Sequence, residues 1–405
     1  MSIETRNGIS KAAKIASVFL LLAGIFLMVV GVYGYLMGDL YYGPLQPIAK
    51  EVYAARRAAR AAETAITGTV DLFGEGRGTV PIRLVSILMD NAIIVFLVGL
   101  FFVFNGVMLR IQSWERMKDL FTVQPALFFF LLFVYYPVID LVRISFTDMR
   151  MLVADPQPFI GWKNYEWLFF KSGWDRFSES LVITMRYTFW ELVITLAGGM
   201  LLALLFNRMT KSFHAMRTVV FMPKYIAVST SAIVFIWILN GNYGILNYIL
   251  SLFGIRGPNW LADANTALTG VLFLTAWRVV GYAMMIYLSA MQGIPKDYYE
   301  AAAIDGADSV QRFRYITIPM LAPTTLFLFV TTFIASMKVF QSVDVMTGGG
   351  PGTATNVLVQ WIYNLSFRDF RSARAAAVSV IFFIILLICT AATMRWSNRS
   401  VTYDS

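Results

Sequence analysis

The sequence predicts an all-α integral membrane protein with eight transmembrane helices, two at the N-terminus followed by a six-helix core. Of its 405 residues, 58% are hydrophobic and 14% are charged, whereas a soluble domain carries about 25% charged residues. The apolar residues lie in runs that match the roughly 20 residues a helix needs to cross a bilayer. Lys and Arg cluster between these runs, as they do in membrane proteins.

Eight mostly apolar runs are predicted to be the spans. They cover residues 15–38, 91–109, 120–139, 185–207, 218–239, 265–287, 319–340 and 375–394. Strands of a membrane barrel would be about half as long and would alternate in polarity. The first run is too long for a signal-peptide core and ends in a poor cleavage site, so we expect it to remain as a helix.

The distribution of Lys and Arg predicts the orientation. With the N-terminus inside, the inside segments hold 14 Lys and Arg in 75 residues, and the outside segments hold 16 in 150. The inside segments are 1–14, 110–119, 208–217, 290–319 and 395–405. Because positive charge concentrates on the cytoplasmic side, both termini are predicted to be cytoplasmic.

A polar stretch, residues 110–119, divides the chain. We therefore predict an N-terminal two-helix membrane extension over residues 1–119 and a six-helix core over residues 120–405. The loop between the first two spans contains an Ala-rich stretch, residues 49–67, which is predicted to be a helix on the outer side. That helix either spaces the two spans or contacts a partner protein.

Several classes of function are disfavoured by composition. The one Cys, Cys389, and the one His, His214, leave no disulfide and no four-ligand zinc site of Cys and His. The net charge of +9 lies in short clusters between apolar runs, so no nucleic-acid partner is predicted. A membrane enzyme would need paired carboxylates or a Cys/His set. A secondary transporter would need internal repeats and broken helices, and none is evident in the sequence.

The predicted inside loop over residues 294–319 has the pattern of a short helix with a defined start and a defined end. Pro295 suits the first turn, where its missing N–H has no cost. Asp297 and Glu300 place negative charge near the positive end of the helix. Ala301 to Ala303 are strong helix formers with small side chains. Gly306 is the expected stop, since it accepts the left-handed conformation.

A second short helix is predicted to follow in the same loop. Asp308 or Ser309 can cap its N-terminus, and Pro319 then opens the seventh span. The product is a compact helix–turn–helix in the cytoplasm, with a small-residue face that another protein could approach closely.

The spacing of these residues resembles a known motif. Glu300, Ala301 and Ala302 are followed after three residues by Gly306, and after nine more by Ile316-Thr317-Ile318-Pro319. This is similar to the EAA loop of bacterial ABC-importer permeases, E-A-A-x3-G-x9-I-x-L-P, with Ile318 at the usual Leu. The resemblance implies that this loop docks on an ATPase through the following residues: Glu300, Ala301, Ala302, Asp305, Gly306, Ile316 and Pro319.

Further short motifs extend the resemblance over roughly residues 120–400. Gly161-Trp162-Lys163-Asn164-Tyr165 resembles a G-x-x-N-Y element, and residues 347–351 resemble a T-x-G-G-P loop. Together they are similar to the carbohydrate-uptake branch, and within it to the maltose-type larger permease subunit. That subunit also has two extra N-terminal spans. It carries a large folded domain after its third span, for which residues 140–186 are too short.

The resemblance implies a multi-subunit importer in the bacterial inner membrane. This chain would be a multi-pass permease that contacts membrane lipid and pairs with a second permease subunit. An ATPase dimer would drive it, and an extracytoplasmic solute-binding protein would deliver the sugar substrate. No cofactor is expected in this chain, because ATP and magnesium would bind the ATPase, and the sequence has no G-x4-G-K-[ST] phosphate loop.

Aligned on the EAA loop, the sugar-contacting positions of the maltose-type subunit fall within spans five to seven. With a neighbouring aromatic, the predicted substrate pathway comprises Lys224, Tyr225, Thr275, Arg278, Tyr282, Thr332 and Ser336. Ionisable residues inside spans usually line a cavity; Glu191 and Lys338 are also of this kind. Thr332 and Ser336 are one helical turn apart and share a face.

The sequence is consistent with two functions. The main prediction is uptake of a carbohydrate, and specifically an oligosaccharide. The alternative is uptake of an anionic polyol derivative such as glycerol phosphate. Lys224 and Arg278 support the alternative, because the resemblance leads us to expect neutral residues at those positions. Either cation could instead reach towards a membrane interface.

Overall fold

The computed structural model describes residues 11–39, 54–55, 58, 69–71, 79–81, 92–111, 123, 126–150, 158–207 and 211–400. The chain forms two compact units. The first comprises residues 1–149 with 153–161, and the second comprises residues 162–405 with 150–152. The boundary predicted between residues 119 and 120 lies outside the described residues.

The first unit contains two long helices that pack closely at glycines. They are α1 (Lys11–Asp39) and α2 (Ala92–Ile111). A Cβ added at Gly24 would lie 2.6 Å from the Val103 nitrogen, and one added at Gly99 would lie 2.6 Å from the Met28 nitrogen. Small residues let helix backbones approach in this way in membranes. The first two predicted spans therefore form an antiparallel pair.

The remaining elements of the first unit are short, except for one helix. Helix α3 (Ala126–Ser145) contains a π-helical turn at Leu131–Tyr135. Strands β1 (Thr69–Asp71) and β2 (Thr79–Pro81) pair antiparallel, with Val70 opposite Val80. This hairpin departs from the all-α prediction, since β-branched residues on both segments favour a pleated pair. The predicted outer helix over 49–67 lies mostly outside the described residues.

The second unit is built from helices over the rest of the chain. The outer and entry helices are α4 (Lys163–Phe170), α5 (Gly173–Leu205), α6 (Lys211–Phe221), α7 (Val228–Ile238) and α8 (Ile245–Leu252). The later helices are α9 (Ala267–Gln292), α10 (Lys296–Ile304), α11 (Ser309–Met320), α12 (Ala322–Met337), α13 (Gln341–Met346), α14 (Leu358–Tyr363) and α15 (Ser372–Ser400).

Helices are present at all eight predicted span positions, but they differ in how well they fit a span. Four described helices are long and apolar enough to cross a membrane, and two further pairs qualify if each bent pair counts as one span. The described apolar parts of α1 and α2, Ser17–Val32 and Ile94–Val107, are shorter. The structure thus supports four to six spans, and the count of eight stays a prediction.

The fifth span was predicted as one continuous helix, and this was wrong. Helices α6 and α7 meet at an angle of 104°. A 3-10 turn, Met222–Tyr225, separates them, and Ile226 then takes an extended conformation. Pro223 lies in that turn, and proline lacks the N–H that a continuous helix would use. The seventh span is also bent, by 60° between α11 and α12. Broken spans are therefore present, although none was predicted from the sequence.

The fourth span begins earlier than predicted, at Gly173 rather than near residue 185. Its polar first turns keep one buried face, which includes Phe177, Ser180 and Ile183. Helix continuity is maintained by that packing, so the helix extends beyond its apolar stretch.

Helix α9 is central to the second unit. Its first half packs into a core with Tyr187, Leu239 and Val343, and its second half packs into another with Leu321 and Leu328. A third core joins the helices around Phe333, Trp361 and Val378. Because α9 is anchored at both ends, side chains in its middle have a fixed position.

Candidate functional site

The loop 294–319 folds as the predicted helix–turn–helix. Helix α10 follows Pro295 and ends before Gly306, whose φ is +78°. The Gly306 N–H donates to the Ala303 carbonyl at 3.1 Å, and the Ala307 N–H donates to the Ala302 carbonyl at 2.9 Å. This pair of bonds is a Schellman motif, which satisfies the last carbonyls of a helix. The prediction that Gly306 ends the helix in a left-handed turn is confirmed.

The second helix of the loop is capped by Asp308. Its Oδ1 accepts from the Gln311 N–H at 2.7 Å, and the Gln311 Oε1 accepts from the Asp308 N–H at 2.8 Å. Of the two residues that could cap this helix, the structure therefore selects Asp308. The Tyr299 and Thr317 hydroxyls are 2.9 Å apart and join the two arms of the loop. The cap at each end of the turn and the hydrogen bond between Tyr299 and Thr317 together hold the two helices of the loop as a stiff unit.

The predicted coupling residues divide between the surface and the core of this unit. Glu300, Ala301 and Asp305 are exposed on or beside α10, and Ala302 is half-buried. Small side chains at the two alanines leave room for a partner to approach the charged groups. The open side of Gly306 is equally free in the described part of the chain, where a Cβ added at Gly306 would meet no atom within 4 Å.

The other two predicted coupling residues lie where the loop joins the membrane helices. Ile316 packs half-buried against the core that contains Tyr287 and Leu321. Pro319 lies in the last turn of α11, just before the bend into α12. These two residues therefore connect the loop to the helices above it and do not belong to its outer face.

An exposed apolar surface on the loop was missed from the sequence. Ile304 is 88% exposed, Val310 is 71% exposed and Tyr315 is 70% exposed. Together with Tyr298, which is also exposed, they form what we call the docking surface. Exposed apolar patches are typical of surfaces that contact other proteins. The available signal was an apolar residue at the end of the first helix, Ile304, and another near the start of the second, Val310.

The break between α6 and α7 brings several predicted pathway residues together. Lys224 lies in the 3-10 turn, with its Nζ 4.7 Å from the centre of the Tyr282 ring. Arg278 donates from Nη2 to the Ile226 carbonyl at 3.2 Å. That carbonyl lies at the break, where helical partners are missing. Arg278 and Tyr282 are one turn apart on α9, so this central helix positions both.

A buried carboxylate completes this group. Glu191 on α5 is 6% exposed and interacts electrostatically with Lys224 and Arg278. It lies beside the Tyr187 side chain, whose hydroxyl is 2.7 Å from the Thr275 hydroxyl. From the sequence, Glu191 was noted only as an ionisable residue in a span. Because Glu191 is far in sequence from Lys224 and Arg278, no local pattern predicted that the three side chains would interact.

The contacts of the remaining predicted pathway residues are local to their own helices and turns. Ser336 is buried and donates to the Phe333 carbonyl at 3.0 Å, and Thr332 is half-buried on the same helix. In the described ranges, no hydrogen bond links either of them to Lys224 or Arg278. Tyr225 is exposed and makes an edge contact with Phe221.

Comparison with known proteins decides the family. A family model described as "Binding-protein-dependent transport system inner membrane component" matches residues 171–403. The match spans more than half of the chain and includes both the coupling loop and the broken span. The chain belongs to this family. The resemblance to ABC-importer permeases drawn from the EAA loop is therefore confirmed, and so is the assignment to the inner membrane.

Relatives of this chain are permeases. A probable ABC transporter permease protein, YurN of Bacillus subtilis, is 34% identical over 276 residues, covering 67% of this chain and 93% of that protein. The trehalose/maltose transport system permease protein MalF of Thermococcus litoralis is 29% identical, covering 71% of this chain and 95% of that protein.

The fold is also shared with a solved structure. One chain of a bacterial ABC transporter involved in the import of the acidic polysaccharide alginate superimposes with a TM-score of 0.63, at 24% identity. The match covers 71% of this chain and 98% of that one. This similarity supports the ABC permease fold for the part of the chain it covers.

Proposed function

We propose that this chain is the permease subunit of an importer that takes up a carbohydrate, specifically an oligosaccharide, using a separate ATPase. The observation that carries the proposal is the coupling loop. It is stiff, double-capped and joined to the core through Tyr299 and Ile316, and it presents an exposed apolar docking surface. A rigid loop of this kind can transmit the motion of a docked ATPase to the membrane helices.

The docking contact is proposed to combine shape, charge and apolar burial. Ala301 and Ala302 would let α10 enter a cleft on one subunit of the ATPase dimer. Glu300 and Asp305 would pair there with basic groups. The docking surface would be covered on binding, which contributes about 25 cal/mol for each Å² of apolar area. ATP and magnesium would bind the ATPase and not this chain.

Carbohydrate as the substrate class is supported by the relatives. MalF of Thermococcus litoralis is described as a trehalose/maltose permease, and the matched structure belongs to an alginate importer. In this chain, aromatic rings lie near the broken span, where Tyr282 faces Lys224 and Trp277 packs against Phe235. Rings of this kind are suited to the apolar faces of sugars.

The substrate pathway is proposed to run past the break between α6 and α7. The proposed contacts are Lys224, Tyr225, Thr275, Arg278, Tyr282, Thr332 and Ser336. A second permease subunit would complete the pathway on the side that this chain leaves open. An extracytoplasmic binding protein would deliver the solute.

Orientation can be tested directly. We expect both termini in the cytoplasm, because the inside segments carry nearly double the density of Lys and Arg. A reporter enzyme that is active only outside the membrane, fused after Ser405, should therefore be silent. The same reporter inserted in the outer loop after Arg256 should be active. Strong activity of the Ser405 fusion would contradict an even number of spans.

Subunit composition tests the proposed function. The tagged chain, purified from the membrane of its own cells, should retain a second permease and an ATPase that contains a phosphate loop. Variants of Ile304 and Tyr315 to Asp should lose the ATPase and keep the second permease, since charge on the docking surface prevents apolar burial. Serine variants at Phe327 and Leu387, which are exposed apolar residues on α12 and α15 and lie outside the loop, provide a control. Uptake by a chain that purifies without any ATPase would contradict the proposal.

A further inference from the structure

We propose that the solute recognised at the broken span is an acidic saccharide, whose carboxylate, sulfonate or phosphate group binds between Lys224 and Arg278. This inference rests on the proposed function and specifies the substrate class of the same site. It is carried by the arrangement of charge around the break, which a neutral sugar would leave unbalanced.

Two cations from neighbouring spans lie close together, Lys224 in the turn between α6 and α7 and Arg278 on α9. Lys224 interacts electrostatically with Arg278, and the interaction is repulsive. Charged side chains within spans are expensive and face a cavity or a partner. Two like charges next to each other add to that cost, so a purely structural role would not favour the pair. An arrangement of this kind is expected where an anion binds.

The protein supplies too little negative charge to balance them. Glu191 is the carboxylate that interacts with both cations, and it is buried beside Tyr187. None of the ion pairs within 4.0 Å in the described part of the chain involves Glu191, Lys224 or Arg278. One carboxylate for two cations leaves a net positive charge, which an acidic group on the solute would neutralise.

Hydrogen-bond donors remain available at the same place. Arg278 uses Nη2 on the Ile226 carbonyl, and its buried Nε has no hydrogen-bond partner among the described residues. The Lys224 ammonium lies over the Tyr282 ring, which accepts no full hydrogen bond, so its three donors are free to turn. A planar or tetrahedral anion could accept from both side chains at once.

The break itself contributes donors. Helix α7 begins at Val228 after Ala227, and no side chain caps it. The first N–H groups of such a helix are unpaired and carry partial positive charge. Together with the two cations, they make the broken span a region of positive potential. The Tyr282 ring lies beside it and could pack against the sugar ring that carries the acidic group.

The positions of the two cations do not fit side chains that only reach towards a membrane interface. Cations that reach towards an interface extend their charged ends away from the protein. Here the Lys224 ammonium is held over Tyr282, and the Arg278 guanidinium is held at the Ile226 carbonyl. Both charged ends are therefore directed at the break. A carboxylate from the second permease subunit could still balance them, and the experiment separates that case.

The test uses the complete transporter in proteoliposomes, with the second permease, the ATPase and the binding protein. Uptake is measured for matched pairs of probes: trigalacturonate and galactotriose, trimannuronate and mannotriose, glucose 6-phosphate and glucose. We expect an acidic member to be taken up in preference to its neutral counterpart. In Arg278→Gln and Lys224→Met, the ratio of acidic to neutral uptake should fall about ten-fold, as expected for loss of a charge-assisted hydrogen bond. Lys171→Met, which removes an exposed cation just after α4, should keep the ratio.

Three results would overturn the inference. Preferred uptake of a neutral member would exclude an acidic solute and leave the proposed carbohydrate function intact. An unchanged ratio in both variants, with acidic uptake retained, would show that the two cations do not bind the acidic group of the solute. If no probe of either kind is transported while the complex still hydrolyses ATP, the carbohydrate function itself fails, and this inference fails with it.

Discussion

In the complete transporter, Gly306→Val is expected to abolish solute uptake and to release the ATPase, whereas Gly306→Asn is expected to retain both. At φ +78° Gly306 is left-handed, and the space around it is open. The two variants therefore differ in the backbone conformation that they tolerate and not in available room. A left-handed L-residue costs about 1–2 kcal/mol, and a β-branched one is a genuine outlier, while Asn is tolerated.

Glu300→Lys is the companion variant at the same surface. Glu300 is exposed on α10, so its reversal should leave the loop folded. Like charges placed at a contact cost several kcal/mol, and about 1.4 kcal/mol corresponds to a ten-fold change in binding. Uptake and retained ATPase should fall together in this variant. Glu300→Gln should lose less, because it removes a charge without adding repulsion.

The measurement for these variants is ATPase pull-down alongside uptake, at matched amounts of inserted chain. Neither residue lies in a span, so insertion should be unchanged and serves as the internal control. Normal uptake in both Gly306→Val and Glu300→Lys would mean that the loop is not where the ATPase couples. Reduced uptake with full ATPase retention would place the defect after docking.

The second large effect is expected at the crossing of α9 and α6. A Cβ at Gly281 would overlap the Val220 carbonyl oxygen and lie 2.7 Å from its carbonyl carbon. Both atoms are backbone, so the helices themselves must separate. Forced overpacking costs about 1–3 kcal/mol, and here it would also displace the turn that carries Lys224. Gly281→Ala should lower the melting temperature of the purified transporter and reduce uptake strongly.

Gly198→Ala is the matched control, because it makes the same chemical change within a neighbouring helix. A Cβ at Gly198 would lie 3.4 Å from the Val280 side chain, which is an ordinary contact. Replacing glycine by alanine within a helix gains about 1 kcal/mol of helix propensity, so this variant should be at least as stable as the original. Equal melting temperatures for the two variants would contradict the close crossing.

The coupling loop shows how much of a site local sequence can predict. Pro295, Gly306 and Asp308 each act on the residues next to them, so a short motif was enough to predict two helices and the turn between them. The docking surface was missed for the opposite reason. Whether Ile304 or Val310 faces the core or the solvent depends on how the loop packs against the helices above it.

The membrane site was less predictable. Lys224, Arg278 and Tyr282 were identified through the resemblance, but the bend that brings Lys224 over Tyr282 was predicted as a straight helix. A single proline within an apolar run does not reveal a 104° turn, because neighbouring helices decide whether such a run bends. Glu191 joins this group through tertiary packing alone, which no local pattern records.

We propose that ATP hydrolysis by a docked ATPase drives a saccharide through this chain. The most direct test is uptake of a labelled saccharide, delivered by the binding protein, into proteoliposomes that contain the complete transporter. Uptake should require ATP on the side of the coupling loop and should stop with ADP or with Gly306→Val. Uptake that persists without ATP, or that follows an imposed proton or sodium gradient, would contradict the account.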